Sequence, residues 1–127
     1  MCLAVAIYFE SRSEPIQGKI AVAEVILNRV ESSKYPDDIC GVVKQQSRGI
    51  CQFSFYCDGK SDRPRNHRAY LRSMYLAELM IEEGDYITVL GKGVTHYHAE
   101  YVDPYWCKSP TMTRVAKIGK HFFYETK

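Results

Sequence analysis

The stretch from Leu3 to Val30, LAVAIYFESRSEPIQGKIAVAEVILNRV, constrains this chain most, because it reads as two helices meeting at a carboxylate. Leu3, Ala4, Ile7 and Tyr8 recur at i, i+1, i+4 and i+5, a helical stripe that stops at Glu10, where Ser11 to Ser13 break the pattern. Pro15 suits a first helical turn, where its missing N–H would lack a partner anyway, and Ser13 or Glu14 can supply the cap. A second helix is expected from Pro15 to Glu31. Ile16, Ile20, Ala23, Leu27 and Val30 form one stripe on it, and Ala21, Val22, Val25 and Ile26 extend the apolar surface most of the way round, as in a buried helix. Glu10 should then lie where a buried helix pair opens to solvent. Desolvation there disfavours the charged carboxylate and raises its pKa, which is the setting a general acid needs.

The remainder reads as shorter elements around this pair. Tyr35, Pro36, Asp37 and Asp38 form a turn whose aspartates can cap a short helix from Ile39 to Lys44. Gln45 to Gly49 is a polar loop, and QFSF at Gln52 to Phe55 alternates polar and aromatic residues as a short strand or extended segment would, with one face inward. Tyr56 to Asn66 is a surface loop by composition. Asn66 can cap a helix from His67 to Glu83 carrying Tyr70, Leu71, Met74, Tyr75, Leu76, Leu79 and Met80 at helical spacing, before Gly84 ends it. VTHYHAEYV alternates like a strand, with Val94, His96 and His98 on one parity and Thr95 and Tyr97 on the other. Val115 to Tyr124, split by Gly119, predicts a hairpin. The expected class is therefore α+β, mainly α, with a small antiparallel sheet near the C-terminus.

At 127 residues the chain is read as one domain, 1–127, able to bury roughly two thirds of the surface its unfolded form exposes. No segment approaches the ~20 apolar residues of a membrane span, and no basic leader precedes the first apolar run. Export is therefore expected by other means, by phage release or through upstream residues. A net charge of +2 is too small to argue for nucleic acid, although Lys60, Arg63, Arg65, His67, Arg68 and Arg72 cluster, interrupted by Asp58 and Asp62. The cluster reads as a solvated face, with weak steering toward an anionic polymer as the alternative. Five cysteines leave at least one unpaired, and a disulfide involving Cys40, Cys51 or Cys57 would restrain loops that little core holds.

Several constellations are candidates for chemistry. Glu10 is the first, the plain alternative being a helix-end cap or a partner for Arg12 or Arg29. Glu14 need not share a helical face with it, and a helix N-terminus favours its carboxylate structurally. His96 and His98 form an HxH that two further ligands, such as His67 and His121, would complete only by folding back, so no metal and no cofactor is expected. Phe53, Phe55, Tyr97, Tyr101, Tyr105 and Trp106 suit both core packing and stacking on sugar faces.

The blocks YFESRSEPIQGKIAVAEVILNRV, YPDDICGVV, CQFSFYCDG, THYHAEYVDPYW and IGKHFFY resemble, in order, those of the cell wall hydrolases related to spore-cortex-lytic enzymes of the SleB and CwlJ type. The resemblance implies a lysozyme-like fold of the goose-type lysozyme and lytic transglycosylase branch, a peptidoglycan substrate, and a catalytic glutamate at Glu10. The family's usual EARGE stands here as ESRSE, so hydrogen bonding around the acid should differ more than its placement. Glu10-Ser11 resembles the Glu-Ser pair of soluble lytic transglycosylases. The chain looks like a bare, monomeric catalytic domain, such as a phage or prophage lysin or a trimmed piece.

On this reading Glu10 protonates the glycosidic oxygen between N-acetylmuramic acid and N-acetylglucosamine, and Gln52, Phe53, Ser54, Tyr97, His98 and Tyr105 line the glycan groove. A muramidase would need a second carboxylate about 5 to 9.5 Å away, for which Glu14 is the nearby candidate. Without one, a lytic transglycosylase route to 1,6-anhydromuramic acid follows. A zinc amidase using His96 and His98, and a binding module that grips glycan without cutting it, are the alternatives from other classes.

Overall fold

The computed structural model describes residues 1–126. Four helices come first: α1 (Cys2–Ser11), α2 (Ile16–Glu31), α3 (Ile39–Val43) and α4 (His67–Glu83). A two-strand ribbon of β1 (Gln46–Ser47) and β2 (Ile50–Cys51) separates α3 from α4, and the chain closes with β3 (Val94–Ala99), β4 (Met112–Ile118) and β5 (His121–Thr126). The last three form an antiparallel sheet in the order β3-β5-β4. The expected class, mainly helical with a small C-terminal sheet, is the one observed.

Helix α2 carries apolar groups nearly all round because it serves two cores. Val22, Ala23 and Ile26 pack with Leu3 and Ile7 of α1, Val42 of α3 and Leu76 and Met80 of α4. Ala21 and Val25, on another face, pack with Val94 and Phe123 of the sheet. Each fully buried valine, leucine, isoleucine, methionine or phenylalanine contributes about 1.5–3 kcal/mol, so α2 is the element that joins sheet to helices. Its polar residues reinforce the joint. Glu24 accepts from the amides of Val89 and Leu90 at 2.6 and 2.8 Å, and Asn28 donates to the carbonyls of Gly91 and Val94 at 2.9 and 2.8 Å.

Helix α4 has the predicted bounds, with Asn66 accepting from the Ala69 amide at 3.0 Å. Asp38 caps α3 by accepting from Gly41 at 2.6 Å, but α3 ends one residue early, at Val43. Elsewhere the sequence expectations need correction. Pro15 is itself the residue before α2, extended at ψ 166°, and neither Ser13 nor Glu14 caps the helix. Ile16 is exposed, as are Leu71 and Tyr75 of α4. The polar loop at Gln45–Gly49 contains a strand, because Arg48 and Gly49, at φ 55° and 78°, form a tight turn between β1 and β2.

QFSF is not a strand either. Ser54–Cys57 winds into a 3-10 turn, closed by a Cys51–Cys57 disulfide. Its alternation survives in burial, with Phe53 and Phe55 inward and Gln52 and Ser54 exposed. A second disulfide, Cys2–Cys40, ties the start of α1 to α3 across 38 residues.

Candidate active site

Glu10 lies in the last turn of α1, where that helix meets α2 and the middle of β3. The strand delivers its partner through a defect. Pairing between β3 and β5 shifts register between Val94 and His96, so Thr95 is an extra residue and the simple alternation breaks there. Val94 and Tyr97, of opposite parity in the sequence, therefore both pack on the α2 side, against Phe123. The Tyr97 hydroxyl donates to Oε1 of Glu10. His96 and His98 fall on the other side and both lie against Trp106, at 5.2 and 5.7 Å between ring centroids.

Arg29 of α2 completes the acid's surroundings. It is buried, its Nε donates to the carbonyl of the bulged Thr95 at 2.7 Å, and its guanidinium lies 5.0 Å from the Tyr35 ring centroid and 5.5 Å from that of Phe53. Burial pushes the Glu10 pKa above the usual carboxylate range, and the Tyr97 hydroxyl and the Arg29 charge pull back against it. Burial, the adjacent carboxylate and the bond to it together hold the Tyr97 hydroxyl well above the ordinary tyrosine range. Tyr97 is therefore a neutral donor, and Glu10 is biased toward the protonated acid.

These groups open on a cavity of about 440 Å³ whose walls include Gln52, Phe53, Ser54, Tyr97 and His98, as well as Glu10 and Arg29. Five of the six residues expected to line a groove are thus brought together. Tyr105 is not among them: it is 90% exposed on a 3-10 turn, Tyr105–Lys108, and Tyr101 and Val102 occupy the rim instead. Among the described residues lining this cavity, Glu10 is the only carboxylate.

Glu14 does not reach that lining. Its carboxylate is buried under the β4–β5 turn, where Oε1 accepts from the Lys120 amide at 2.8 Å and lies 3.2 Å from Nδ1 of His121. The imidazole contact is off the line of a good hydrogen bond, so it is an electrostatic approach more than a bond. His121 itself does line the cavity, packed edge-on to Tyr97 with centroids 5.1 Å apart. Ser11 of the ESRSE link is buried and donates to the Ile7 carbonyl at 2.8 Å, so its bond goes to its own helix and not to the acid. Arg12 bonds the Tyr8 hydroxyl at 2.8 Å.

The HxH pair is divided between two places. His98 Nδ1 meets the Ala99 carbonyl at 2.8 Å and Nε2 meets the Tyr124 hydroxyl at 2.7 Å, which in turn accepts from Arg114. His96 lines a different cavity, with Lys34 and Lys92, and burial and the charges of Arg29 and Lys34 lower its pKa to about 4. Arg29, Tyr101 and His121 are the site residues that the sequence did not single out as groove residues. The signal for Arg29 was present as a charged residue on a helix with apolar groups most of the way round.

A family profile described as Cell Wall Hydrolase matches residues 13–124. The spore cortex-lytic enzyme of Oceanobacillus iheyensis is 29% identical over 121 residues, which cover 95% of this chain and 39% of that protein. The chain thus spans about two fifths of that curated relative's length. The crystal structure of the catalytic domain of the Bacillus cereus SleB protein superposes with a TM-score of 0.69 at 30% identity, covering 98% of this chain and 87% of the other. The catalytic domain of the germination-specific lytic transglycosylase SleB from Bacillus anthracis gives a TM-score of 0.72 at 30% identity, covering 98% and 91%.

Proposed function

This chain belongs to the cell wall hydrolase family, and we propose that it cleaves peptidoglycan glycan strands between N-acetylmuramic acid and N-acetylglucosamine as a lytic transglycosylase. The observation that carries this reading is the solitary carboxylate. Glu10, biased toward its protonated form, faces a polar cavity with no second carboxylate on its described walls. Protonated Glu10 gives its proton to the glycosidic oxygen as the bond to the muramic anomeric carbon breaks. Arg29, close enough to lower the Glu10 pKa, favours the carboxylate that this step leaves behind, and Tyr97 donates to the same oxygen in either state.

The muramic C6 hydroxyl then attacks the anomeric carbon and closes a 1,6-anhydro ring. Its proton needs an acceptor on the cavity wall. Glu14, engaged with the Lys120 amide and outside the cavity lining, is poorly placed to activate water directly as a muramidase's second acid would. The Bacillus anthracis relative, a germination-specific lytic transglycosylase, points the same way. Action at the cell wall fits the two disulfides, which favour an oxidising compartment. Among the described residues no helix is long and apolar enough to cross a membrane.

Mass spectrometry of the fragments released from purified sacculi tests the reading. Anhydromuramic ends, one water lighter than reducing ends, are expected. Reducing-end muramic acid as the main product would establish a muramidase instead, and free stem peptides sensitive to a chelator would establish an amidase.

A further inference from the structure

Glu14 and His121 lie far apart in sequence, yet they meet as buried groups, 7% and 8% exposed, beside the Glu10 cavity. The Lys120 amide already satisfies Oε1 of Glu14 and fixes the hairpin turn, so holding that turn does not require an imidazole on the same oxygen. With Nδ1 turned to the carboxylate, Nε2 makes no hydrogen bond to any described residue. His121 lines the cavity, so its Nε2 edge is the one left for an occupant. Tyr97 stands between the two polar groups, its hydroxyl on Glu10 and its ring edge-on to His121. The cavity therefore carries two acid–base groups at separate points of its wall.

We propose that Glu14 and His121 form a proton relay in which Nε2 of His121, and not Glu10, accepts the proton of the hydroxyl that attacks the anomeric carbon. This rests on the glycan-cleaving reading. The bond from the anomeric carbon to the glycosidic oxygen breaks, and its electron pair stays with that oxygen, which takes the Glu10 proton. The bond from the C6 oxygen to the anomeric carbon forms, and the hydroxyl proton passes to Nε2. Glu14 balances the imidazolium, which returns its proton to Glu10 through solvent before the next cycle. Burial moves the two groups in the senses this division needs: it raises Glu10, which must hold a proton, and lowers His121, which must be free of one. The second carboxylate that a two-acid mechanism seeks is then present, acting one residue removed.

The experiment compares the whole chain with its Glu10→Gln, Glu14→Gln, His121→Ala and His121→Asn variants on purified sacculi, after thermal melts have established folding. His121→Ala should lower turnover about 10²-fold while the Glu10→Gln/His121→Ala double variant still binds sacculi as Glu10→Gln does. Added imidazole should restore part of the His121→Ala rate and none of the Glu10→Gln rate, a response a purely structural histidine would not give. Should His121→Ala not fold, His121→Asn keeps a group toward Glu14 but offers no Nε2, and the same loss is expected. Turnover within about threefold of wild type, a loss matched by lost binding, or no response to imidazole would overturn the relay. If the wild type releases no glycan fragments, or Glu10→Gln stays active, the glycan-cleaving reading itself falls. If those two behave as expected and His121 is silent, only the relay falls.

Discussion

The Tyr97 hydroxyl donates to Oε1 of Glu10 across 87 residues of chain, so the acid's hydrogen-bond partner comes from a strand and not from its own helix. That bond lowers the Glu10 pKa against the rise from burial. Tyr97→Phe removes the donor and keeps the ring, so the Glu10 pKa should rise further. A general acid stays active until it loses its proton, and the alkaline limb of the pH–rate profile should therefore move to higher pH. Turnover at neutral pH should fall roughly 10-fold, because an unheld carboxyl is poorly aimed. A profile whose alkaline limb stays in place would separate Tyr97 from the acid.

Glu10→Gln should make the protein more stable at neutral pH while abolishing turnover. The sign follows from proton binding: with the folded pKa above 4.5, the folded state holds more protons than the unfolded one just above that pH. Stability therefore falls as pH rises through the folded pKa, and glutamine carries no such cost. Melting temperatures at pH 7 and pH 4 test this, with the variant's advantage shrinking toward pH 4. An equal difference at both values would refute it.

Much of this site could be read from the chain because its two opening helices and its acid are contiguous. Apolar periodicity and the break after Glu10 require no knowledge of distant residues. The segments QFS and THYH do meet at one cavity, but not for the reasons that periodicity offers. QFSF keeps its in-out burial through a covalent loop and a 3-10 turn that periodicity cannot anticipate. The parity of THYH fails at Thr95, where one inserted residue puts Val94 and Tyr97 on the same side. Glu14 reads in the sequence as a helix cap or a second acid, and it caps nothing on α2, because its partners, Lys120 and His121, lie 106 residues away and beyond.

Acid should weaken the fold through His96. Its pKa is lowered to about 4 from 6.5, so on unfolding it takes up a proton anywhere between those values. Stability is thus fully present above pH 6.5 and declines as pH falls toward 4. The ring is partly exposed, so the effect is modest. His96→Gln should flatten the decline in melting temperature from pH 6.5 to 4, although Glu10 acts in the opposite sense over part of that window. An unchanged slope in the variant would remove His96 as its source.

The Cys51–Cys57 bridge closes the short loop that carries Gln52, Phe53 and Ser54 into the cavity wall. Replacing both cysteines with serine should raise KM several-fold with little change in kcat, since neither cysteine lines the cavity that Glu10 faces. The Cys2–Cys40 bridge closes 38 residues, and the chain-entropy relation gives it about 4 kcal/mol. Its removal should appear in the denaturation midpoint and leave KM alone. Kinetics and chemical denaturation on the two double variants separate these roles.

Gly119 has a positive φ of 58°, and a Cβ added there would lie 2.4 Å from Oε1 of Glu14 and 3.1 Å from Cδ of Pro15. Gly49 has a comparable φ of 78° but opens on space, with nothing within 4 Å of a new Cβ. The two alanine variants therefore share the backbone cost of the left-handed region, about 1–2 kcal/mol, and differ in the collision with Glu14. Moving that carboxylate leaves the Lys120 amide unpartnered, at about 1–3 kcal/mol more. Gly119→Ala should accordingly destabilise more than Gly49→Ala by roughly that amount. Glu14→Gln keeps an acceptor for the amide but not the charge, so it should lose less than Gly119→Ala. Equal losses for the two glycine variants in urea melts would mean that Glu14 can yield without cost, and that its hold on the turn is weak.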